Sequence, residues 1–162
     1  MTHPPDPSTR RVPILALDVG DVRIGVAVSE SLVIAQPIEA LDRQKLGRKG
    51  TLDALEALLQ RFNTHRLVVG LPLLEGGREG EQVEKTRAFV RSLQRRRPGV
   101  EVNFWDERYS SGDARGILGN RSVPKGYLDS VAAAVFLQEY LDHHTAIPPT
   151  LPSSPPAGES PS

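Results

Sequence analysis

The sequence predicts one α/β domain, a mixed five-stranded sheet flanked by helices, with three antiparallel strands first and two parallel crossover strands after them. Two apolar runs near the start, Ile14 to Gly20 and Arg23 to Ser29, are separated by only Asp21 and Val22, a gap that permits a hairpin and nothing longer. Downstream, the spacing of apolar residues changes to helical and back to extended twice, as in crossover units. Prolines crowd both ends (Pro4, Pro5, Pro7 and Pro13; Pro148, Pro149, Pro152, Pro155, Pro156 and Pro161), which confines the folded unit to residues 12–142, enough for one buried core. Residues 1–11 and 143–162 have little to bury and read as disordered tails.

The first run is almost continuously apolar, as a strand buried on both faces requires, and ends in Asp18, Val19 and Gly20. A third strand is expected within Leu32 to Leu41, with Pro37 at an edge or bend. Leu52, Leu55, Leu58, Leu59 and Phe62 fall at helical spacing after Gly50 and Thr51. On this reading Arg43, Lys45, Arg48 and Lys49 lie in a loop. Arg66 to Pro72 reads as a short strand, and Gly76, Gly77 and Gly80 mark a loop. Glu81 to Arg96 reads as a helix with Val83, Thr86, Val90 and Leu93 on one face, ended by Pro98 and Gly99. Val100 to Trp105 is a strand running into Asp106, Glu107 and Arg108. A short helix is expected from Ser110 or Ser111, where Ser110 and Asp113 have capping-box spacing. A loop follows over Gly119 to Gly126, and a last helix spans Leu128 to Leu141. This element order is that of the ribonuclease H-like fold.

Composition excludes several classes. The chain has no cysteine, so thiol nucleophiles, disulfide scaffolds and zinc ribbons are out. No run of about 18 apolar residues exists to span a membrane, and Met1 to Arg11 lacks the apolar run of a secretory signal, so a cytoplasmic address is expected. Twenty basic residues balance 20 acidic ones, so any contact with nucleic acid must come from local patches.

Four acids stand out by position. Asp18 ends the first strand, Asp106 and Glu107 end the last, and Asp129 begins the last helix. In an open α/β sheet the functional crevice lies outside the carboxyl ends of the strands, where these acids would gather. Clustered carboxylates repel unless a cation sits among them. Mg²⁺ or Mn²⁺ takes such oxygen ligands, and two ions together can drive phosphodiester hydrolysis. Each acid also has a plain structural reading: Asp18 as a turn residue, Asp106 and Glu107 as strand-end polar groups beside Arg108, and Asp129 as a helix-dipole partner. The argument rests on the set. Gly20 and Gly25 serve either turn geometry or a close backbone approach to phosphate. Arg23, Arg108 and Lys125 are candidate nucleic-acid contacts, with solvated charge as the alternative. Arg95, Arg96 and Arg97 suit the negative end of a helix.

Four blocks of the chain together resemble the YqgF family, also called RuvX, of bacterial nucleases in the ribonuclease H-like superfamily. They are Leu17-Asp18-Val19-Gly20 with Arg23-Ile24-Gly25-Val26-Ala27; Val68-Val69-Gly70-Leu71-Pro72-Leu73 with Gly76-Gly77; Trp105-Asp106-Glu107-Arg108 with Ser110-Ser111 and Ala114; and Lys125 with Asp129 and Ala132-Ala133-Ala134, continuing to Leu141-Asp142. The resemblance implies a metal-dependent endonuclease acting on structured nucleic acid, either four-way (Holliday) junction DNA or the 5′ end of precursor 16S rRNA. It assigns Asp18, Glu107 and Asp129 as catalytic and metal-binding acids, with Asp106 a further candidate ligand and Mg²⁺ or Mn²⁺ as cofactor. Junction resolution cuts two symmetric strands and favours a homodimer. The chain departs from the family in Tyr109-Ser110-Ser111, where Leu then Ser/Thr-Thr is usual, and in its long tails. The middle strand, Arg66 to Leu71, carries no acid, so the second ligand is expected from Asp106-Glu107. Two other functions fit the pattern less well. Actin-like ATPases share this core but need two such domains, and a noncatalytic RNA-binding factor of ribosome biogenesis has no need of the acids.

Overall fold

The computed structural model describes residues 12–74, 76, 78–107 and 126–145. The expected tails (but for residues 143–145), the short helix from Ser110, the loop over 119–125, Arg108 and Lys125 lie outside the described residues. The described elements are β1 (Ile14–Val19), β2 (Arg23–Ser29), β3 (Gln36–Asp42), α1 (Arg43–Arg61), β4 (Arg66–Leu71), α2 (Glu81–Arg96), β5 (Glu101–Asp106) and α3 (Tyr127–Thr145).

The five strands form one sheet in the order β3-β2-β1-β4-β5. The first three are antiparallel, and β4 and β5 run parallel to β1 and to each other. The central strand β1 is thus paired on both sides and, but for Asp18, buried throughout, which explains its unbroken apolar run. Alternation divides the core in two. Leu15, Leu17, Val26, Val28, Leu67 and Val69 pack against Leu55 and Leu59 of α1 and Val90 and Leu93 of α2. Ile14, Ala16, Ala27 and Val68 face α3 through Ala133, Phe136 and Leu137. Small residues on both sides, Ala16 and Ala27 on the sheet and Ala133 on the helix, sit among these larger side chains, and the helix lies close on the sheet at Gly25. At roughly 1.5–3 kcal/mol per fully buried large aliphatic or aromatic side chain, both layers are needed to offset chain entropy.

Four expectations are corrected. Strand β3 starts at Gln36, because the chain first bends through Leu32, whose φ is +65°. Pro37 does sit in an edge strand, paired with Ala27. Helix α1 starts at Arg43, not near Thr51, so Arg43, Lys45, Arg48 and Lys49 lie within it. Asp42 caps it by accepting from the backbone N–H groups of Gln44 and Lys45, at 3.0 and 3.1 Å. The helical spacing was hidden because Gly47, at φ +74°, kinks the helix and only the part after the kink carries the apolar stripe. Arg96 does more than answer a helix dipole: it pairs with Asp53 and, at 2.8 Å, with Glu56, joining α2 to α1. Helix α3 spans Tyr127–Thr145, extending beyond the expected Leu128 to Leu141 at both ends.

Candidate active site

Asp18 and Glu107 meet although β1 and β5 are not neighbours. Strand β4 lies between them, so their backbones stand close to 10 Å apart, two strand spacings. In the parallel register Leu17 pairs with Val69, which sets Asp18 beside Gly70, and Gly70 pairs with Trp105 of β5. Glu107 follows β5 and folds its side chain back over Gly70. A methyl group at 70 would collide with the Glu107 carboxylate and stand 2.8 Å from both Glu107 Cγ and Phe136 Cε2. The acid missing from the middle strand is therefore replaced by a vacancy, which lets the acid of the next strand reach across.

The two carboxyl groups share a hydrogen bond. Burial, helped by the nearby Asp129 charge and opposed by the Glu107 hydrogen bond, brings the Asp18 pKa up to about 6. Burial pushes Glu107 up to about 8, helped by the charges of Asp18 and Asp106. At neutral pH the pair therefore holds one proton, with Glu107 donating to Asp18. Alternation along β5 turns Asp106 to the face opposite Trp105, and it acts on Glu107 through its charge.

The third acid arrives on α3, whose first turn is fixed to β2 in two ways. Gly25 lies so close under Asp129 that an added Cβ would overlap the Asp129 backbone carbonyl and approach Ser130 N at 2.8 Å. The register between β2 and β3 shifts between Ile24 and Val26, and there the buried Ser130 hydroxyl accepts from Val26 N–H at 3.2 Å. Arg23 Nε donates to Asp129 Oδ2 at 3.0 Å, with both side chains partly exposed. Arg23, expected as a phosphate contact, is thus paired to Asp129. Gly25 serves helix packing, a third role beyond the two expected. Gly20 serves the turn: its N–H donates to Arg23 O at 3.0 Å, and a Cβ there would stand 2.7 Å from that oxygen.

The turn after Asp18 is held from the opposite face as well. Gln82 Nε2 donates to Val19 O at 3.1 Å, and Arg43 Nη1 donates to Gly20 O at 2.6 Å. Lys85 Nζ stands 3.5 Å from Asp21 Oδ2. Sequence reasoning missed Ser130, Gly70, Gln82 and Arg43 as supports. The available signals were a serine just before the apolar run Val131 to Leu137 and a glycine inside a strand pattern.

Among the described residues no three acidic or imidazole groups close into a finished cation cage. The donor set nonetheless fits a hard divalent ion. It is all oxygen, its central pair carries a shared proton in place of a cation, and Asp129 stands near enough for its charge to be felt at Asp18.

Comparison with known proteins decides the family. Residues 12–143 match the RuvX family, described as Holliday junction resolvase. The chain belongs to the RuvX family. Curated RuvX relatives carry the name "Putative pre-16S rRNA nuclease". One from Halothermothrix orenii is 35% identical over 139 residues, covering 83% of this chain and 97% of its own. One from Syntrophomonas wolfei is 39% identical over 134 residues, covering 80% and 93%. Among solved structures, Thermus thermophilus RuvC in complex with Holliday junction substrate aligns with a TM-score of 0.52 at 16% identity, covering 83% of this chain and 96% of that one. That likeness bears out the ribonuclease H-like fold. RuvX membership places the chain among nucleases, enzymes that hydrolyse phosphodiester bonds.

Proposed function

We propose that this protein is a divalent-metal-dependent endonuclease that cleaves structured nucleic acid from the site formed by Asp18, Glu107 and Asp129. The observation that supports it best is the reach of Glu107 across Gly70 to Asp18, which joins two acids from non-neighbouring strands at the carboxyl ends of β1 and β5. A hydrogen-bonded carboxyl pair in a partly apolar setting is costly to keep without a function. The Asp18 and Glu107 oxygens, with Asp129, would hold Mg²⁺ or Mn²⁺, and Asp106 adds negative charge behind them. When bound, the metal supplies a Lewis acid for the phosphate and lowers the pKa of water.

The chain's own residues do the rest. To hold the metal, Asp18 and Glu107 would release their shared proton to solvent. Arg23 holds Asp129 in place on the first turn of α3. Phe136 packs beside Glu107 at Gly70 and gives the pair an apolar wall on the α3 side. Outside the described residues, Arg108 and Lys125 are proposed to contact the nucleic-acid backbone.

The names carried by the curated relatives support precursor 16S rRNA as substrate, and the family description supports four-way junction DNA. We place the activity in the cytoplasm, and on a junction we expect a homodimer. The test runs both labelled substrates side by side, with Mn²⁺ or Mg²⁺, with EDTA, and with Asp18→Asn protein. Metal-dependent cutting of one substrate, lost in the variant, bears out the nuclease and selects its substrate. Binding without cutting under either metal overturns it in favour of a noncatalytic RNA-binding factor.

A further inference from the structure

A cleft of about 460 Å³ opens between α1 and α2 on the face of the sheet opposite α3. Its lining includes Arg43, Gln44, Arg48, Lys85, Phe89 and Asp21. Lys85 stands 3.5 Å from Asp21 and 3.8 Å from Glu81, so the excess positive charge of the cleft rests on Arg43 and Arg48. The Arg43 guanidinium lies 5.0 Å over the Phe89 ring, giving one wall a flat, apolar-backed surface. Arg48 has no ion-pair partner among the described residues. Gly47, at φ +74°, lines the cleft with nothing within 4 Å of where a Cβ would stand, so the cleft is open at the kink of α1.

The position of the cleft gives it meaning. Asp21 lies three residues beyond Asp18, so the cleft and the acids are at most about 10 Å of chain apart. They lie on opposite faces of the sheet at the same end of β1, with only the turn Gly20–Val22 between them. We propose that this cleft binds a single-stranded segment of the substrate that flanks the cleaved bond, passing over that turn. Arg48 and Lys85 take a backbone phosphate, and a base lies on the Arg43–Phe89 wall. Unpaired bases stack on guanidinium planes and aromatic rings in this way whatever their identity. The strand is recognised by phosphate charge and base face together, which a neutral chain can supply only at such a patch. This rests on the nuclease reading for the direction in which the strand continues, but the binding itself does not require cleavage.

The test measures fluorescence anisotropy of labelled 12-nucleotide oligo-dT and oligo-U with the full chain, without metal and across a salt series. Arg48→Ala and Lys85→Ala are each expected to weaken binding several-fold and to lower the log–log salt slope by about 0.7, one phosphate contact on a single strand. Arg61→Ala removes the same charge at the far end of α1 and is expected to leave both unchanged. Photocrosslinking with 4-thiouridine in oligo-U is expected to mark peptides spanning residues 43–48 or 85–92. If Arg48→Ala and Arg61→Ala behave alike, or if crosslinks fall elsewhere, the proposal is overturned even where cleavage is found. If cleavage fails but Arg48-dependent binding and crosslinking hold, the cleft stands and the nuclease reading falls.

Discussion

Gly25 of β2 lies directly beneath Asp129 of α3, with no room for even a methyl group between the strand and the helix backbone. This contact sets the height of α3 above the sheet, and with it the position of the third acid. Gly25→Ala forces the helix outward and is expected to cost about 1–3 kcal/mol, the range for overpacking a well-filled site. It should also weaken Mn²⁺ binding measured by calorimetry. Gly99→Ala meets nothing within 4 Å and serves as the control, with a melting temperature equal to or slightly above that of the parent.

Gly70→Ala tests the bridge between non-neighbouring strands. Its Cβ would displace the Glu107 carboxylate and press on Phe136. A displacement on the order of 1 Å is expected to lower cleavage about 100-fold while the far-ultraviolet circular dichroism stays native. Cleavage at the parent rate would show that Glu107 need not reach Asp18.

The shared proton gives a pH dependence of known sign. Both acids are raised on folding, so the folded chain binds more protons than the unfolded chain between the ordinary carboxyl values, 3.8 and 4.5, and about 8. Stability conferred by those protons is complete below the ordinary values and is lost as pH rises through about 6 and then about 8. In EDTA the melting temperature is expected to fall as pH is raised from about 5 to 8.5, and Glu107→Gln should flatten most of that slope. Mn²⁺ reverses the trend, because metal binding requires the deprotonated pair and strengthens with pH.

Arg96 separates structural from nucleic-acid charge. It joins α2 to Asp53 and Glu56 of α1. Arg96→Ala is expected to lower the melting temperature modestly, less so at high salt, while leaving the KM for nucleic acid unchanged. A raised KM without a change in melting temperature would move Arg96 into the binding surface.

Most of the elements were legible in the sequence because their signals are local. Strands β1, β2 and β4 announce themselves as apolar runs, and α2 by its apolar face. The start of α1 was not legible, since its first turns before Gly47 bury almost nothing and carry cations where an apolar stripe would be. The carboxylates could be singled out because strand ends and a helix start are recognisable one at a time.

By itself, the sequence determined the order of the strands along the chain, the division into apolar and polar faces, and the four blocks that mark the family. Only the tertiary structure decided which acids touch. Asp18 meets Glu107 because β4 comes between β1 and β5 and offers a glycine at the crossing point, and Asp129 meets Arg23 because Gly25 and Ser130 seat α3 on β2. Periodicity carries information over one or two turns of chain, whereas these contacts join residues about 90 to 105 positions apart, and the strand order that brings them together is set by packing of the whole sheet.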